Sequence, residues 1–319
     1  MKIWTIPYVD QELSFWEEID KRFGEHVKEV YFPLPGGLVG SGRGRQPDRF
    51  LEDFLRRSSL SKSVLVNPIV LPKPVEEIAP QIISALQRLQ DDFGVRSGTV
   101  ANLSLARLIK ESLPGMHLTT SVLMGIASPS QVLMVQDYFD AIVPANTLLR
   151  DLNALKKLRQ AFSGEMRLIV NEACLPGCPY RTQHFYEMAS NTPYPLSLCQ
   201  EILEVRPWLR LTGAWILPKH LHYYDGLYDS LKLAGRVTLQ DRAKYLRVLD
   251  AYVHRKPILP HDIGGGPASV LEDIDMPDSL FEFILQCDKT CNACSVCFDY
   301  YERVTKEVSR KSSERLFDE

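Results

Sequence analysis

The sequence predicts an α/β protein, a (β/α)8 TIM-like barrel with a short Cys-rich C-terminal extension. Three observations carry the prediction. Short apolar runs alternate with amphipathic stretches, eight such runs can be counted, and no Gly-x-Gly-x-x-Gly in dinucleotide-binding form follows the first of them. Alternation calls for parallel strands joined by helical crossovers, and eight repeats favour closure over an open sheet. With 319 residues, 45% of them hydrophobic, the chain has material for a barrel of ~250 residues and more besides.

Residues 1–27 read as a lead-in, with Leu13, Trp16 and Ile19 at helical spacing. Strand patterns follow at 28–34, 64–70, 95–101, 116–122, 141–144, 167–170, 209–216 and 230–234. Helical patterns fall at 49–57, 75–93, 103–113, 130–138, 150–162 and 239–255. Pro74 stands just before the second helix and Ser128-Pro129 opens the fourth, both in keeping with helix starts. The division is therefore a lead-in over 1–27, a barrel over 28–255, and a Cys-rich extension with a charged helical tail over 256–319.

Composition excludes several classes. Lys and Arg total 37 against 40 Asp and Glu, a net charge of -3, which gives no support to coating a nucleic acid. The first residues lack the apolar core of a signal peptide, and no apolar run reaches the ~20 residues needed to span a bilayer. A cytoplasmic protein is expected, where reducing conditions keep thiols free. The seven cysteines are lopsided: none precedes Cys174, three fall at Cys174, Cys178 and Cys199, and four crowd into Cys287, Cys291, Cys294 and Cys297. Isolated core cysteines do not cluster in this way.

In a barrel the C-terminal ends of the strands face one mouth, where the chemistry sits. That rule gathers the glycine-rich loop with Arg43 and Arg45, then Asn171 and Glu172, Trp215, Lys232 and Arg236. The cysteine loop Cys174-Leu175-Pro176-Gly177-Cys178 opens at the end of the sixth expected strand, its proline and glycine forcing a tight turn. Thiolates are soft ligands that select zinc, copper(I) or iron–sulfur clusters. The trio Cys174, Cys178 and Cys199 lacks the paired C-x2-C knuckles of structural zinc and suits a 4Fe-4S cluster better. The C-terminal quartet can close a second cluster alone or lend one thiol to the trio. Its C-x3-C-x2-C start matches a radical-SAM motif but lies beyond the barrel, where that motif does not belong. Glu172, His184 and Lys232 are the candidate acids and bases; Arg43, Arg45 and Arg236 are suited to clamping a carboxylate or phosphate.

The Asn171-Glu172-Ala173-Cys174 loop, Cys178-Pro179-Tyr180-Arg181 and Lys232-Leu233-Ala234-Gly235-Arg236 together resemble peptidase family U32, the collagenase-like peptidases. The likeness covers roughly residues 28–255. It implies an α/β barrel, and in several members a 4Fe-4S cluster held by four cysteines. Characterised relatives take part in oxygen-independent hydroxylation of ubiquinone precursors, a tRNA uridine and a ribosomal-RNA cytidine, with prephenate implicated as oxygen donor in some; others are called proteases. By that resemblance Cys174, Cys178 and Cys199 are cluster ligands; Asn171, Arg181 and Trp215 are candidate substrate-binding residues at the expected mouth. One departure is plain: no cysteine lies between Cys199 and Cys287, so the quartet must complete the first cluster, or a second cluster exists, or one iron is open.

These readings converge on an iron–sulfur barrel enzyme with one or two 4Fe-4S clusters, modifying a small or aromatic substrate with an anionic group by oxygen-independent hydroxylation or a related group transfer. Two alternatives stand beside it: a U32-type peptidase, for which no nucleophile or catalytic metal motif is evident, and a cluster-bearing scaffold that pairs with a related subunit. The charged tail after Cys297 would suit such docking.

Overall fold

Eight parallel strands close into a barrel in strict sequence order. The strands are β1 (Trp4–Pro7), β2 (Val27–Pro33), β3 (Lys62–Val66), β4 (Ser97–Val100), β5 (His117–Thr120), β6 (Ala141–Ile142), β7 (Glu165–Ile169) and β8 (Ser230–Lys232). A computed structural model describes residues 2–40, 48–172, 174–189, 197–263 and 274–315, with the side chains of 197–200 and 308–315 outside that description. Helices α1 (Leu13–Phe23), α2 (Leu51–Arg57), α3 (Val75–Phe93), α4 (Leu103–Ser112), α5 (Pro129–Val135) and α6 (Leu152–Ala161) make the crossovers from β1 to β7. Between β7 and β8 lie α7 (Arg181–Ala189) and α8 (Ser197–Val205). After β8 come α9 (Arg242–Val253), α10 (Asp278–Gln286) and α11 (Val296–Arg315).

The helices form where apolar periodicity and end signals agree. In α3, Ile78, Ala79, Ile82, Leu86 and Leu89 are buried along one stripe, and Gly94 ends the helix in the left-handed region at φ 66°. The Asn102 carboxamide accepts from the Leu105 N–H at 2.9 Å to start α4, and Asp151 caps α6 in the same way. Ser128 and Gln131 form a reciprocal capping box at α5.

Two expectations need correction. Residues 1–27 are no lead-in, because they supply β1 and α1. Strand β1 lies between β2 and β8, with Trp4 opposite Leu231 and Thr5 opposite Lys232, so it closes the barrel. The expected strand at 209–216 is instead a 3-10 turn (Pro207–Thr212) followed by irregular backbone. Its carbonyls are taken by a side chain: Arg150 donates to Gly213 O and Trp215 O. The count of eight survives because one strand replaces the other.

The barrel interior is polar on its β7–β8–β1–β2 side. Arg167, fully buried, donates to Glu29 at 2.5 Å, to Glu165 at 3.1 Å and to Ser230 at 3.1 Å. Thr5 and Ser97 also donate to Glu29. Burial pushes the Glu165 carboxyl up, but Arg167, Lys28 and Ser230 overcome that and hold it at about 2. A network satisfied at this level fixes register among strands whose apolar faces point outward to the helices.

The extension packs back on the barrel. Phe281 of α10 stacks on His220 with centroids 4.0 Å apart, and Trp208 meets Phe298 of α11 edge-on at 4.9 Å. Tyr223 donates to Glu282 at 2.6 Å and Lys219 pairs with Asp275 at 2.7 Å. Among the described residues, no helix is long and apolar enough to cross a membrane.

Candidate active site at the barrel mouth

Lys232 ends β8 and turns its side chain into the barrel, only 8% exposed. Its ammonium lies 4.1 Å from the centre of the Tyr31 ring, which offers a π face in place of a carboxylate. Burial, with Arg167 and Arg236 nearby and Glu29 opposing, draws its pKa down to about 7. Lys232 thus stands ready to hold or release a proton near neutrality. Arg236, buried after Gly235, adds a second cation at the same end.

Glu172 follows β7 by three residues and is buried. Its Oε1 accepts from Arg181 and, at 3.4 Å, from Asn146. Among the described residues its Oε2 and the Arg181 Nη2 have no hydrogen-bond partner, leaving an acceptor and a donor in one ion pair unspent. Burial works against the Arg181 charge, but Glu172 and the thiols of Cys174 and Cys178 raise its pKa overall, so both sulfurs lie near this guanidinium. A cavity of ≈ 280 Å³ opens beside it, walled by Asn146, Thr147, Gly177, Arg181 and Phe185.

A second cavity of ≈ 280 Å³ is lined by Cys287, Cys291, Cys294 and Cys297, together with Arg150 and Pro176. Burial and the three other thiols push the Cys297 thiol up to about 11, against the opposing pull of Arg150. The two cavities share walls. Pro176 faces one and Gly177 the other; Asn146 and Thr147 face one and Arg150, at the end of the same 3-10 turn (Asn146–Arg150), the other. Among the described residues, no group of three or more His, Cys, Asp or Glu side chains is drawn together so as to hold a metal ion.

Comparison with known proteins fits this barrel. The chain is 25% identical over 337 aligned positions to the Uncharacterized protease MJ1657 of Methanocaldococcus jannaschii, covering 95% of this chain and 96% of that protein. Its fold matches that of the U32 peptidase Mk0906 with a TM-score of 0.54 at 15% identity, over 73% of this chain and 92% of that one. The chain resembles the U32 peptidases. No family model matches the sequence.

Within this U32-like barrel the sequence-named residues fall into three groups. Lys232 and Arg236 stand together at the end of β8, and Glu172 and Arg181 stand together after β7. Asn171 is fully buried and spent on backbone: it donates to Ala234 O and Ile263 O, both at 2.8 Å, and accepts from Ala234 N–H at 2.7 Å. It therefore ties the ends of β7 and β8 to the segment leading into the extension. Trp215 is also a packing residue, fully buried with its indole donating to Arg210 O at 3.0 Å. His184 lies in α7 beside Phe185, with ring centroids 5.2 Å apart. Arg43, Arg45 and the Cys199 side chain lie outside the described residues. Cys174 and Cys178 border Arg181, while the quartet has its own cavity.

Sequence reasoning missed Arg150, Tyr31 and Thr147. Arg150 read as the first residue of a helix. The available signal was a charged residue directly after the apolar pair Leu148-Leu149, in a loop following a barrel strand.

Proposed function

We propose that the protein is an iron–sulfur barrel enzyme that modifies a small or aromatic anionic substrate without oxygen, by hydroxylation or a related group transfer. The observation that supports this reading is the quartet cavity: four soft donors line one pocket, with a buried guanidinium on its wall and with chain neighbours of its lining residues facing the mouth cavity. Four cysteine thiols on one pocket are the donor set that a 4Fe-4S cluster takes. Cys287, Cys291, Cys294 and Cys297 would hold it, and when bound it would supply one-electron exchange or Lewis acidity next to the mouth.

The chain's own groups do the rest. Lys232 and Arg236 draw an anionic group to the end of β8, and the Tyr31 ring keeps the Lys232 ammonium in place until that group arrives. Lys232 Nζ holds or yields a proton near pH 7, as a general acid or base must. The unspent Glu172 Oε2 and Arg181 Nη2 offer one acceptor and one donor to a polar substrate edge. Apolar side chains, among them Phe185, line part of the cavity beside that edge.

The test is anaerobic purification with iron and sulfide counts and EPR, on the parent and on Cys174→Ala and Cys291→Ala. About four irons lost only in Cys291→Ala would assign the quartet alone; loss in both would mean one shared cluster, and about eight irons, half lost in each, two. Colourless, iron-free and fully active parent protein would overturn the reading.

A second reading, a peptidase, is favoured by the names of both relatives, a protease and a U32 peptidase. Turnover of a peptide panel by metal-free protein would establish it in place of the first. In either case a related subunit is the partner we propose for the charged tail, and co-purification with activity only in the pair would support that.

A further inference from the structure

We infer that Arg150 is a potential-tuning residue: its free guanidinium N–H donates to a cluster held by Cys287, Cys291, Cys294 and Cys297 and raises the cluster's reduction potential. The inference rests on the cluster reading above and adds to it the residue that sets the electron affinity.

A guanidinium carries five N–H donors in a rigid fork. Arg150 Nε donates to Gly213 O at 3.0 Å, while Nη2 donates to Gly213 O at 2.6 Å and Trp215 O at 2.5 Å. Those bonds fix the fork. Among the described residues Nη1 has no hydrogen-bond partner, although the residue is 2% exposed. A buried donor on a buried cation, left without an acceptor, is among the costliest arrangements a fold can keep.

What surrounds it explains the vacancy. The Phe281 ring centre lies 4.6 Å from the guanidinium carbon and the Trp215 ring centre 5.8 Å away, so two aromatic faces hold the group without neutralising it. The Tyr224 hydroxyl, kept neutral by burial, hydrogen-bonds to the guanidinium, and the Cys297 thiol lies close enough to feel its charge. Arg150 also lines the cavity that carries the four cysteines. Among the described residues no carboxylate pairs with this cation: around it stand backbone carbonyls, the Tyr224 hydroxyl, two aromatic faces and the cavity lined by the four cysteines.

Four thiolates around an oxidised cube make a dianion, and uptake of one electron makes a trianion. A fixed cation with a hydrogen bond to sulfur stabilises the trianion more, which raises the potential. No other bond changes in that step. The electron comes from a low-potential donor, dithionite in the experiment below.

The test is an equilibrium dithionite titration of anaerobically reconstituted full-length protein, followed by EPR, for the parent, Arg150→Gln and Arg150→Lys. Glutamine drops the charge but keeps an amide donor for a backbone carbonyl; lysine keeps the charge. At the parent's midpoint the reduced-to-oxidised ratio should fall at least about tenfold in Arg150→Gln and stay within about threefold in Arg150→Lys. A fully loaded Arg150→Gln that titrates with the parent overturns the inference, as does Arg150→Lys shifted equally far. A parent without iron overturns the cluster reading itself, a distinct result. Should Arg150→Gln fail to fold or load, pulsed EPR of the reduced parent grown on guanidino-15N arginine decides. A 15N coupling that disappears in Arg150→Lys supports the assignment, and its absence from the parent overturns it.

Discussion

A single lysine shows how the mouth is poised. Below about pH 7 the folded protein bears the full penalty of burying the Lys232 ammonium, while the unfolded chain keeps its proton until about pH 10. Parent stability attributable to this group therefore rises between those values. Lys232→Met is expected to be more stable than the parent by ~2–4 kcal/mol at about pH 6, with the gap closing by about pH 9, in urea denaturation at both. A gap that stays constant would mean Lys232 titrates as an ordinary lysine. Glu165 has the opposite sign: held at about 2, it contributes stability that is complete above about pH 4.5 and lost as the pH falls toward 2. Arg167→Met strands Glu165 and Glu29 in the interior and is expected to cost ~3–5 kcal/mol near neutrality and less at about pH 3. Equal losses at both pH values would show that packing, not charge, is what Arg167 provides.

At the scale of elements, the extension is held by α10. Phe281 fits between His220 and the Arg150 guanidinium, and truncation to Ala is expected to cost ~3–4 kcal/mol in thermal or urea unfolding. The Asn171 clamp joins three segments through three hydrogen bonds, so Asn171→Ala is expected to cost ~2–4 kcal/mol, and full stability in that variant would show the clamp to be dispensable. These elements also mark what the sequence revealed and what it hid. Helix α3 was legible to the residue because its apolar stripe and glycine stop agree. Strand β1 was not: four residues with a proline at the end, Trp4-Thr5-Ile6-Pro7, carry too little pattern, and only pairing with β2 and β8 makes them a strand. Residues 209–216 carried enough apolar pattern to pass for one, but Arg150 occupies the carbonyls a neighbour would need. The cysteine quartet was legible from spacing alone, whereas its arginine was not, because the two are 137 residues apart at the closest (Arg150, Cys287) and meet only through the fold.

Across the whole molecule the barrel is uneven. β3 and β4 are in register over four pairs, but β5 meets β6 at the single pair Thr119–Ala141 and β6 meets β7 at two. Both cavities draw walls from the loop that follows this thin sector, so the site lies beside the least hydrogen-bonded part of the cylinder. Amide exchange should be slowest in β2 to β4 and faster around β6; uniform protection would contradict that. The seam between Trp4-Thr5 and Leu231-Lys232 has a further consequence. During synthesis the ribosome has to release the chain as far as Lys232 before its opening residues find their second neighbour. Until then the nascent sheet carries an unpaired border at each side, a period in which a chaperone's shelter matters most.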